Sequence, residues 1–467
     1  MNGFHIVAGG VLGYFLILNP VQLATAVIAI GSLRRYHRRF KWMDAMDDFV
    51  RRGDPPSITI LQPAHNEERT CVGSLRSLLT LEYASYEIIV VNDGSTDGTL
   101  DALARAFALK PVGRFPMAGI PTAAVRGTYR SAVNDKVWVI DKENGGKADA
   151  LNAGINYCRT ALFCAIDADC LLERDALTRI ARPFIEDDCT VAVGGIVRIA
   201  NGCRFRGGQV VDVRLPDALL PRFQVLEYLR AFLTGRMGWD AMNALLIISG
   251  AFGLFRRETV IEAGGFSTST VGEDMELVVR LHRHCRERRR PYRITFLPDP
   301  VAWTECPESY AALARQRDRW QRGLAQSLMR HARMLFNPRY GAVGLLAFPY
   351  FFFLEMCGPV VELGGFLVFG WALWTHRLSL ALSAAFGLSA FAFGMALSIL
   401  TVALEELSFH RYHRARDYFQ LFLLALIENM GYRQLGLWWR LKGLWSAARG
   451  VKRWGGNPRL GFTRGAG

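Results

Sequence analysis

Two aspartates in the segment AIDADC, residues 165–170, have the types and the spacing needed to bind a metal ion. Asp167 and Asp169 stand two residues apart at the end of an apolar run, so both can present oxygen ligands to one cation. Mg²⁺ and Mn²⁺ prefer oxygen ligands, and either ion could also hold a diphosphate. Because a DxD tripeptide often occurs by chance, this prediction depends on the motifs around it.

The glycine pair in NGGKADALNAG, residues 144–154, indicates a phosphate-binding loop. Glycines let the backbone approach a phosphate closely, and Lys147 adds a point charge at the predicted start of a helix. The segment does not have the spacing of a Walker A loop. We therefore expect Lys147 near a phosphate that the aspartate pair also approaches.

Two further polar segments follow β-rich runs nearer the N-terminus. PAHNEE, residues 63–68, offers backbone N–H groups at a predicted helix start, where capping by Asn66 is favoured over ligand binding. In VNDGSTDGT, residues 91–99, Asp93 could accept a hydrogen bond from a nucleotide base, whereas Asp97 is suited to cap the next helix. Both segments therefore have a structural and a ligand-binding interpretation.

Glu273 and Asp274 open an amphipathic helix in the segment VGEDMELVVRL, residues 271–281. The helix dipole favours carboxylates in the first turn, which is the structural interpretation of both residues. The catalytic interpretation is a general base that deprotonates an acceptor hydroxyl.

The segment QRDRWQRG, residues 316–323, places Gln316, Arg319 and Trp320 on one face of a predicted helix. Arg319 could stabilise a leaving diphosphate and Trp320 could stack on a sugar ring. The structural alternative is a tryptophan and arginine pair that anchors the helix at a membrane surface.

The elements that must position these motifs lie between residues 57 and 304, where β-rich runs alternate with helical stretches. This alternation is typical of an α/β domain with a mostly parallel sheet. We predict strands at 57–63, 87–93, 137–142, 162–167, 191–199, 245–255 and 292–298. Because ligands bind at the carboxyl ends of strands in such sheets, the polar clusters should converge on one crevice.

The composition indicates a membrane protein, since 51% of the 467 residues are hydrophobic and the net charge is +14. No charged residue occurs from Ile6 to Leu33, a run long enough for one tilted span. The basic run at 34–41 then places the following domain in the cytoplasm. Much of the positive charge flanks apolar segments, so we expect a lipid bilayer and no nucleic acid as partner.

The C-terminal part contains predicted spans at 341–375 and 378–404 and a weaker one near 418–432. Glu355 and Glu362 must face protein or water, and pairing with an arginine or a backbone group is favoured over lining a polymer path. The amphipathic stretch before these spans suits a membrane-interface helix and an ordinary surface helix equally well. The nine cysteines show no CxxC pair, which predicts unpaired thiols in a reducing compartment.

The expected layout has five parts. We expect an N-terminal transmembrane helix with its basic flank at 1–40, a cytosolic catalytic domain at 41–315, the QxxRW segment and an interface helix at 316–340, transmembrane helices at 341–437, and a basic tail at 438–467.

In their order along the chain, these motifs resemble membrane-embedded family 2 glycosyltransferases of the processive kind, such as the poly-N-acetylglucosamine, hyaluronan, chitin and cellulose synthases. The resemblance covers nearly the whole chain, and FPYFFFLEMCGPVVE, LIENMGYR and VKRWGGNPRLGF are similar to bacterial poly-N-acetylglucosamine synthases. It implies a GT-A-type nucleotide-sugar-binding domain on a mostly parallel sheet plus an α-helical transmembrane region. It also implies a multi-pass protein of the inner (plasma) membrane of the cell.

The resemblance implies a role for each motif. The nucleotide sugar would contact Ala64, Glu67, Asp93, Lys147 and Asp167. Asp167 and Asp169 would bind Mg²⁺ or Mn²⁺, and Asp274 would be the catalytic base. The acceptor would lie against Gly250, Ala251, Phe252, Gln316, Arg319 and Trp320.

The implied activity is the polymerisation of a UDP-sugar, with UDP-N-acetylglucosamine or a related UDP-hexose favoured, into a β-linked exopolysaccharide that is extruded across the membrane. One alternative is a single transfer to a glycolipid acceptor, because ceramide glucosyltransferases resemble this motif set as well. A non-catalytic membrane receptor or scaffold is disfavoured by the intact motifs. Control by cyclic di-GMP would need a partner such as a small membrane subunit, because no soluble C-terminal domain of sufficient size is expected.

Overall fold

The computed structural model describes residues 3–52, 55–375, 381, 384 and 387–451. The chain divides into two compact units. The helical unit consists of Met1–Arg35, Arg214–Ala244 and Pro307–Gly455. Among the described residues, the sheet unit consists of Tyr36–Val213 and Leu245–Cys306.

The strands all belong to the sheet unit. In chain order they are β1 (Ile58–Ala64), β2 (Tyr86–Asp93), β3 (Leu109–Pro111), β4 (Val125–Ser131), β5 (Val137–Lys142), β6 (Leu162–Ile166), β7 (Cys170–Leu172), β8 (Thr190–Ile199), β9 (Arg204–Arg206), β10 (Gln209–Asp212), β11 (Phe252–Arg256) and β12 (Arg293–Thr304). Within the described residues, ten of them form one sheet in the order β3-β4-β5-β2-β1-β6-β11-β8-β12-β7, and β9 pairs with β10.

The helices are distributed over both units. In chain order they are α1 (Gly3–Arg52), α2 (Cys71–Leu78), α3 (Thr99–Phe107), α4 (Lys147–Tyr157), α5 (Ala176–Glu186), α6 (Leu219–Leu229), α7 (Met237–Ala241), α8 (Arg257–Glu262), α9 (Glu273–Glu287), α10 (Tyr310–Arg330), α11 (Gly358–Trp374), α12 (Phe393–Ser408), α13 (Ala415–Ile427) and α14 (Tyr432–Ala448). The chain is π-helical at Arg230–Arg236, Val343–Ala347, Tyr350–Met356 and Leu388–Ala392.

The centre of the sheet is parallel, as the sequence predicts, but the sheet as a whole is mixed. β5, β2, β1 and β6 run parallel, and their apolar residues are buried on both faces. β11 pairs antiparallel with both β6 and β8. The predicted strand at 245–255 begins only at Phe252, because the residues before it form a loop at the carboxyl end of β6. Because the chain enters β11 at the carboxyl end of β6, β11 runs antiparallel to β6.

The helical unit supports fewer complete spans than the sequence predicts. Among the described residues, the stretch Gly9–Arg38 of α1 is the one helix long and apolar enough to cross a membrane. Val343–Met356 and Gly358–Trp374 pass the same test only together, and they are bent by 43° at the break between them. Residues 376–380, 382, 383, 385 and 386 of the predicted span at 378–404 lie outside the described residues. The weaker segment near 418–432 contains most of α13 and the turn that follows it.

Both glutamates of the bent pair have polar partners within the helical unit. The carboxylate of Glu355 lies 3.1 Å from the Arg440 guanidinium and accepts a hydrogen bond of 3.1 Å from the Tyr350 hydroxyl. Glu362 accepts a hydrogen bond of 2.9 Å from the Tyr14 hydroxyl. The predicted arginine partner is thus confirmed for Glu355, whereas Glu362 is paired with a tyrosine.

Close packing against α14 buries one face of α10. A methyl group added at Gly443 would lie 2.7 Å from the backbone oxygen of Asp318 and 2.8 Å from Cβ of Gln321. Ser446 also donates a hydrogen bond of 3.0 Å to the Asp318 carboxylate. This protein contact explains part of the amphipathic pattern of α10, while Trp320 and Met329 remain exposed.

Candidate active site

The pairing of β6 with β11 brings two of the predicted motifs to the same edge of the sheet. Phe252 lies opposite Ile166 in an antiparallel register, so the residues before Phe252 lie beside those after Ile166. Gly250 and Ala251 are therefore neighbours of Asp167. Ala251 and Phe252 are themselves buried, and Phe252 belongs to the apolar core of the sheet unit.

Lys147 lies at the centre of a cluster of carboxylates. Its Nζ atom is 2.5 Å from Oδ1 of Asp167 and 3.3 Å from Oε1 of Glu273. A methyl group added at Gly250 would lie 2.8 Å from this Nζ atom and 3.4 Å from Oδ2 of Asp274. The structure thus brings together four predicted site residues from separate segments, and it adds Glu273, which was not among the predicted site residues.

The charges of this cluster depend on one another. Burial alone would lower the pKa of Lys147, but the nearby carboxylates of Asp167, Glu273 and Asp274 outweigh it and raise this pKa. Burial raises the pKa of Glu273, against the opposing effect of the positive Lys147. The lysine is therefore held in its charged form beside the carboxylates.

The Asp274 carboxylate is oriented by two backbone N–H groups. Gly250 donates to Oδ2 at 3.0 Å, and Met275 donates to Oδ1 at 2.8 Å. The side chain stands in the first turn of α9 and is half-buried, so a bound molecule can still reach it. Each carboxylate oxygen keeps a further lone pair for a proton donor.

Asp167 and Asp169 form a small group of ligand atoms with Cys170. One ligand atom from each residue lies within 4.8 Å of the others. Both aspartates are half-buried, whereas Cys170 is fully buried. Because Mg²⁺ and Mn²⁺ favour oxygen over sulfur, the two carboxylates fit such an ion and the thiol does not.

A buried lysine that the motif patterns did not single out anchors the glycine loop. Lys142 ends β5, and its Nζ atom lies 2.6 Å from Asp93 and 2.6 Å from Asp149. The Asp93 carboxylate also accepts hydrogen bonds from the N–H groups of Gly145 at 3.0 Å and Gly146 at 2.8 Å. Asp93 therefore holds the loop in place. A lysine that closes an apolar strand is the sequence signal for such a buried pair, because a lone buried charge is costly.

Ala64 and Glu67 lie at the same sheet edge as Asp93. Ala64 is buried at the last position of β1, which runs parallel to β2. The Glu67 backbone N–H donates a hydrogen bond of 2.9 Å to the Thr99 hydroxyl, and its side chain accepts one from Thr70. The segments that follow β1 and β2 are thus tied together.

The capping role predicted for Asn66 is wrong. Its backbone has a left-handed φ of 56°, and its side-chain oxygen accepts a hydrogen bond of 2.8 Å from the N–H of Thr96. Thr70 occupies the N-cap position of α2 instead, because that helix begins five residues after Asn66. Asp97 stands one residue before Gly98, the N-cap of α3, and its carboxylate accepts a hydrogen bond of 3.0 Å from the first-turn N–H of Thr99, so it does bind the helix start as predicted.

Gln316, Arg319 and Trp320 lie on α10 of the helical unit, on the helix that the sequence predicts. Trp320 is the most open of them, with 42% of its side chain exposed. The Arg317 guanidinium lies 4.5 Å above its ring. Arg317 was not among the predicted residues, although its position three residues before Trp320 places both on one helix face.

Two family models match the chain. Glycosyl transferase family 2 matches residues 59–115, and Glycosyltransferase like family 2 matches residues 121–323. The poly-beta-1,6-N-acetyl-D-glucosamine synthase of Staphylococcus aureus (strain COL) is 28% identical over 317 residues, which cover 68% of this chain and 66% of that protein. The enzyme of the same name from Staphylococcus epidermidis is 28% identical, over 58% of this chain and 56% of that protein. The chain thus spans slightly less than two thirds of the length of these curated relatives.

A solved structure has a similar fold. It is a mannosyltransferase from Pyrobaculum calidifontis in complex with GDP-Man and Mn²⁺, with a TM-score of 0.50 and 19% sequence identity. The match covers 89% of this chain and 99% of that one. At this identity the likeness concerns the fold, which is a GT-A-like α/β fold with a mixed sheet. With its two matching domain models and its polysaccharide-synthase relatives, the chain belongs to glycosyltransferase family 2.

Proposed function

We propose that this glycosyltransferase transfers N-acetylglucosamine, or a related hexose, from its UDP derivative to the end of a growing β-linked polysaccharide. The observation that carries the proposal is that Lys147, Asp167 and Asp274 lie together at the edge where the central parallel strands end. The names of the staphylococcal relatives, which are poly-β-1,6-N-acetylglucosamine synthases, support the choice of sugar.

On the donor side, the loop before α4 and Lys147 would bind the diphosphate. The loop is held by the Asp93 carboxylate, so its glycines can let the backbone come close to a phosphate. Lys147 carries its positive charge in a half-buried cluster, where a charge acts more strongly than it does in water. Ala64 and Glu67, at the same sheet edge, would lie near the uridine.

Asp167 and Asp169 would hold a Mg²⁺ or Mn²⁺ ion, whose chemical contribution is to neutralise the negative charge of the UDP leaving group. The half-buried carboxylates meet the oxygen preference of both ions.

In the proposed step, Asp274 accepts the proton of an acceptor hydroxyl as that oxygen attacks the anomeric carbon of the donor sugar. The bond between this carbon and UDP breaks, and its electron pair leaves with UDP. A single displacement inverts the configuration, so an α-linked donor gives a β-linked product. The backbone N–H of Gly250 aims the carboxylate, and a glycine suits this position because an added methyl group would lie 2.8 Å from Nζ of Lys147.

The acceptor would be the end of the polysaccharide, with Gly250, Gln316, Arg319 and Trp320 as its contacts. Ala251 and Phe252 are buried, so they would support the backbone at Gly250 and not touch the sugar. In this proposal the protein acts at the plasma membrane, and its catalytic domain of residues 41–315 lies in the cytoplasm. The product would be extruded across the bilayer. The helix Gly9–Arg38 and the bent pair Val343–Met356 and Gly358–Trp374 support a membrane location by their length and composition.

Replacement of the base tests the proposal. We expect Asp274→Asn in the purified full-length protein to reduce UDP release about 10²- to 10⁴-fold, because the amide cannot take up the proton. Binding of UDP in the presence of Mn²⁺, measured by calorimetry, should survive. Asp101→Asn is the matched control, because Asp101 also stands in the first turn of a helix but is exposed. Retained turnover in Asp274→Asn would rule out Asp274 as the base.

The length of the product separates polymerisation from its alternatives. Incubation with radiolabelled UDP-N-acetylglucosamine should give a ladder of oligosaccharides on a gel. One sugar per lipid molecule would indicate a single-transfer enzyme. The absence of any transfer with each of several UDP-sugars would favour a non-catalytic membrane protein.

A further inference from the structure

Trp320 is the exposed tryptophan of α10 that the proposed function assigns to the acceptor sugar. The Arg317 guanidinium carbon lies 4.5 Å from the centre of its ring, a distance at which a cation is attracted to the aromatic face. The two residues are three positions apart on one helix, so the contact is local. Arg317 thus covers part of the Trp320 ring, while 42% of the Trp320 surface remains exposed.

Arg317 is itself fixed from a different helix. Its guanidinium forms an ion pair with the Glu227 carboxylate at the end of α6, and only 14% of its side chain is exposed. The Tyr432 hydroxyl donates a second hydrogen bond of 2.8 Å to the same carboxylate. The Tyr432 ring stacks on Phe223 at 4.6 Å between centres, which holds the hydroxyl in place.

Tyr228 supplies a second aromatic ring beside Trp320. The ring centres are 6.3 Å apart and the ring planes are inclined by 48°. Two inclined rings form a corner whose faces can contact the apolar C–H groups of a pyranose ring. Because Glu227 and Tyr228 are consecutive residues of α6, the ion pair and the aromatic corner are fixed to one another.

We propose that Arg317 is a positioning residue that holds the Trp320 ring for the acceptor sugar, and that Glu227 and Tyr432 hold Arg317. This inference rests on the proposed acceptor role of Trp320. A ring that is already oriented loses less rotamer freedom when a sugar binds, so the arrangement strengthens acceptor binding without touching the donor. The ligand class is a β-linked hexose at the end of an oligosaccharide.

Steady-state kinetics of the full-length protein in detergent test the proposal, with UDP-N-acetylglucosamine as donor and a β-linked N-acetylglucosamine tetrasaccharide as acceptor. We expect Arg317→Gln to raise the KM for the tetrasaccharide about 5- to 10-fold. The KM for the donor and the affinity for UDP with Mn²⁺ should change less than about twofold. Arg315→Gln is the matched control, because Arg315 is exposed on the same helix and stands five residues before Trp320, a spacing that does not place the two side chains on one helix face.

Two milder variants guard against a loss of folding. Arg317→Lys keeps the charge next to Glu227 but not the flat guanidinium, so it should raise the tetrasaccharide KM by about 2- to 4-fold. Tyr432→Phe removes only the hydroxyl that bonds to Glu227 and should raise it about 2- to 3-fold. If neither variant changes this KM, or if donor and acceptor KM rise together in Arg317→Gln, the positioning role is wrong.

Trp320→Ala distinguishes the failure of this inference from the failure of the proposed function. A large rise in tetrasaccharide KM for Trp320→Ala, with none for the Arg317 variants, would leave the acceptor role of Trp320 intact and overturn the role of Arg317. An unchanged tetrasaccharide KM in Trp320→Ala would overturn both.

Discussion

At the scale of single residues, the candidate site depends on buried charges that are paired. Lys142 is fully buried between the carboxylates of Asp93 and Asp149. A buried ion pair of this kind adds little net stability, but loss of one partner leaves an uncompensated charge. Its value here is geometric, because Asp93 also receives the N–H groups of the glycine loop. We interpret Lys142 as the support of that loop.

His282 makes the stability of the sheet unit sensitive to acid. The ring is fully buried between the backbone oxygen of Leu245 and the Tyr292 hydroxyl, each at 2.8 Å. Burial lowers its pKa to about 4, opposed by the bond to Leu245 and assisted by the charges of Arg286 and Arg293. In the unfolded chain the pKa is about 6.5. The unfolded state therefore binds a proton between these pH values that the folded state does not bind.

The free energy of unfolding should accordingly fall as the pH falls from about 6.5 to about 4, by up to about 3 kcal/mol in total. We expect His282→Gln to show a smaller decrease in melting temperature between pH 7 and pH 5 than the unchanged protein, as measured by tryptophan fluorescence. His65→Gln, at an exposed histidine, should keep the original decrease. Equal pH dependence in His282→Gln and the unchanged protein would contradict the assignment to His282.

At the scale of elements, the contact of α10 with α14 requires a glycine at one position. A side chain at Gly443 would meet the α10 backbone, which cannot move aside as a flexible side chain can. We expect Gly443→Ala to lower the free energy of unfolding by about 1–3 kcal/mol, in the range of overpacking substitutions. The melting temperature of the purified protein in detergent provides the measurement.

Gly436 provides a matched control on the same helix. Nothing lies within 4 Å of a methyl group added there. Gly436→Ala should therefore leave the protein unchanged or stabilise it by up to about 1 kcal/mol, through the higher helix propensity of alanine. If both variants are equally stable, the close approach of the two helices does not contribute to the fold.

The pairing of neighbouring strands brings residues of separate motifs next to one another. Because β11 pairs with β6 in an antiparallel register, the loop before β11 arrives beside the aspartates after β6. The sequence predicts both strands but not their pairing, because hydrophobic patterns describe burial and not the identity of the neighbouring strand.

At the scale of the whole molecule, the proposed topology can be tested with a native cysteine. Within the described residues the nine cysteines form no disulfide, as predicted, and Cys189 of the sheet unit is half-buried. If the sheet unit is cytoplasmic, a membrane-impermeant maleimide should label Cys189 in permeabilised cells and not in intact spheroplasts. Mass spectrometry of the Cys189 peptide provides the measurement. Labelling in intact spheroplasts would contradict the orientation that follows from the basic run at 34–41.

The family and much of the sheet could be predicted from the sequence because local pattern determines local structure. The apolar runs predicted the central strands, and the polar residues that follow them mark the sheet edge at which ligand binding is expected. The spacing of Gln316, Arg319 and Trp320 predicted their common helix. The order of the motifs along the chain identified the family without any knowledge of their distances.

Only the tertiary structure decided which partner each charged residue has. Lys142, Asp93 and Asp149 come from separate segments, and so do Lys147 and Glu273, so no spacing rule relates them. The mixed sheet and the break before Gly358 likewise depend on contacts between distant parts of the chain. The residues of QRDRWQRG illustrate both the local pattern and the tertiary contacts. Their shared helix follows from a local repeat, whereas the fixing of Arg317 by Glu227 and Tyr432 requires three helices to pack together.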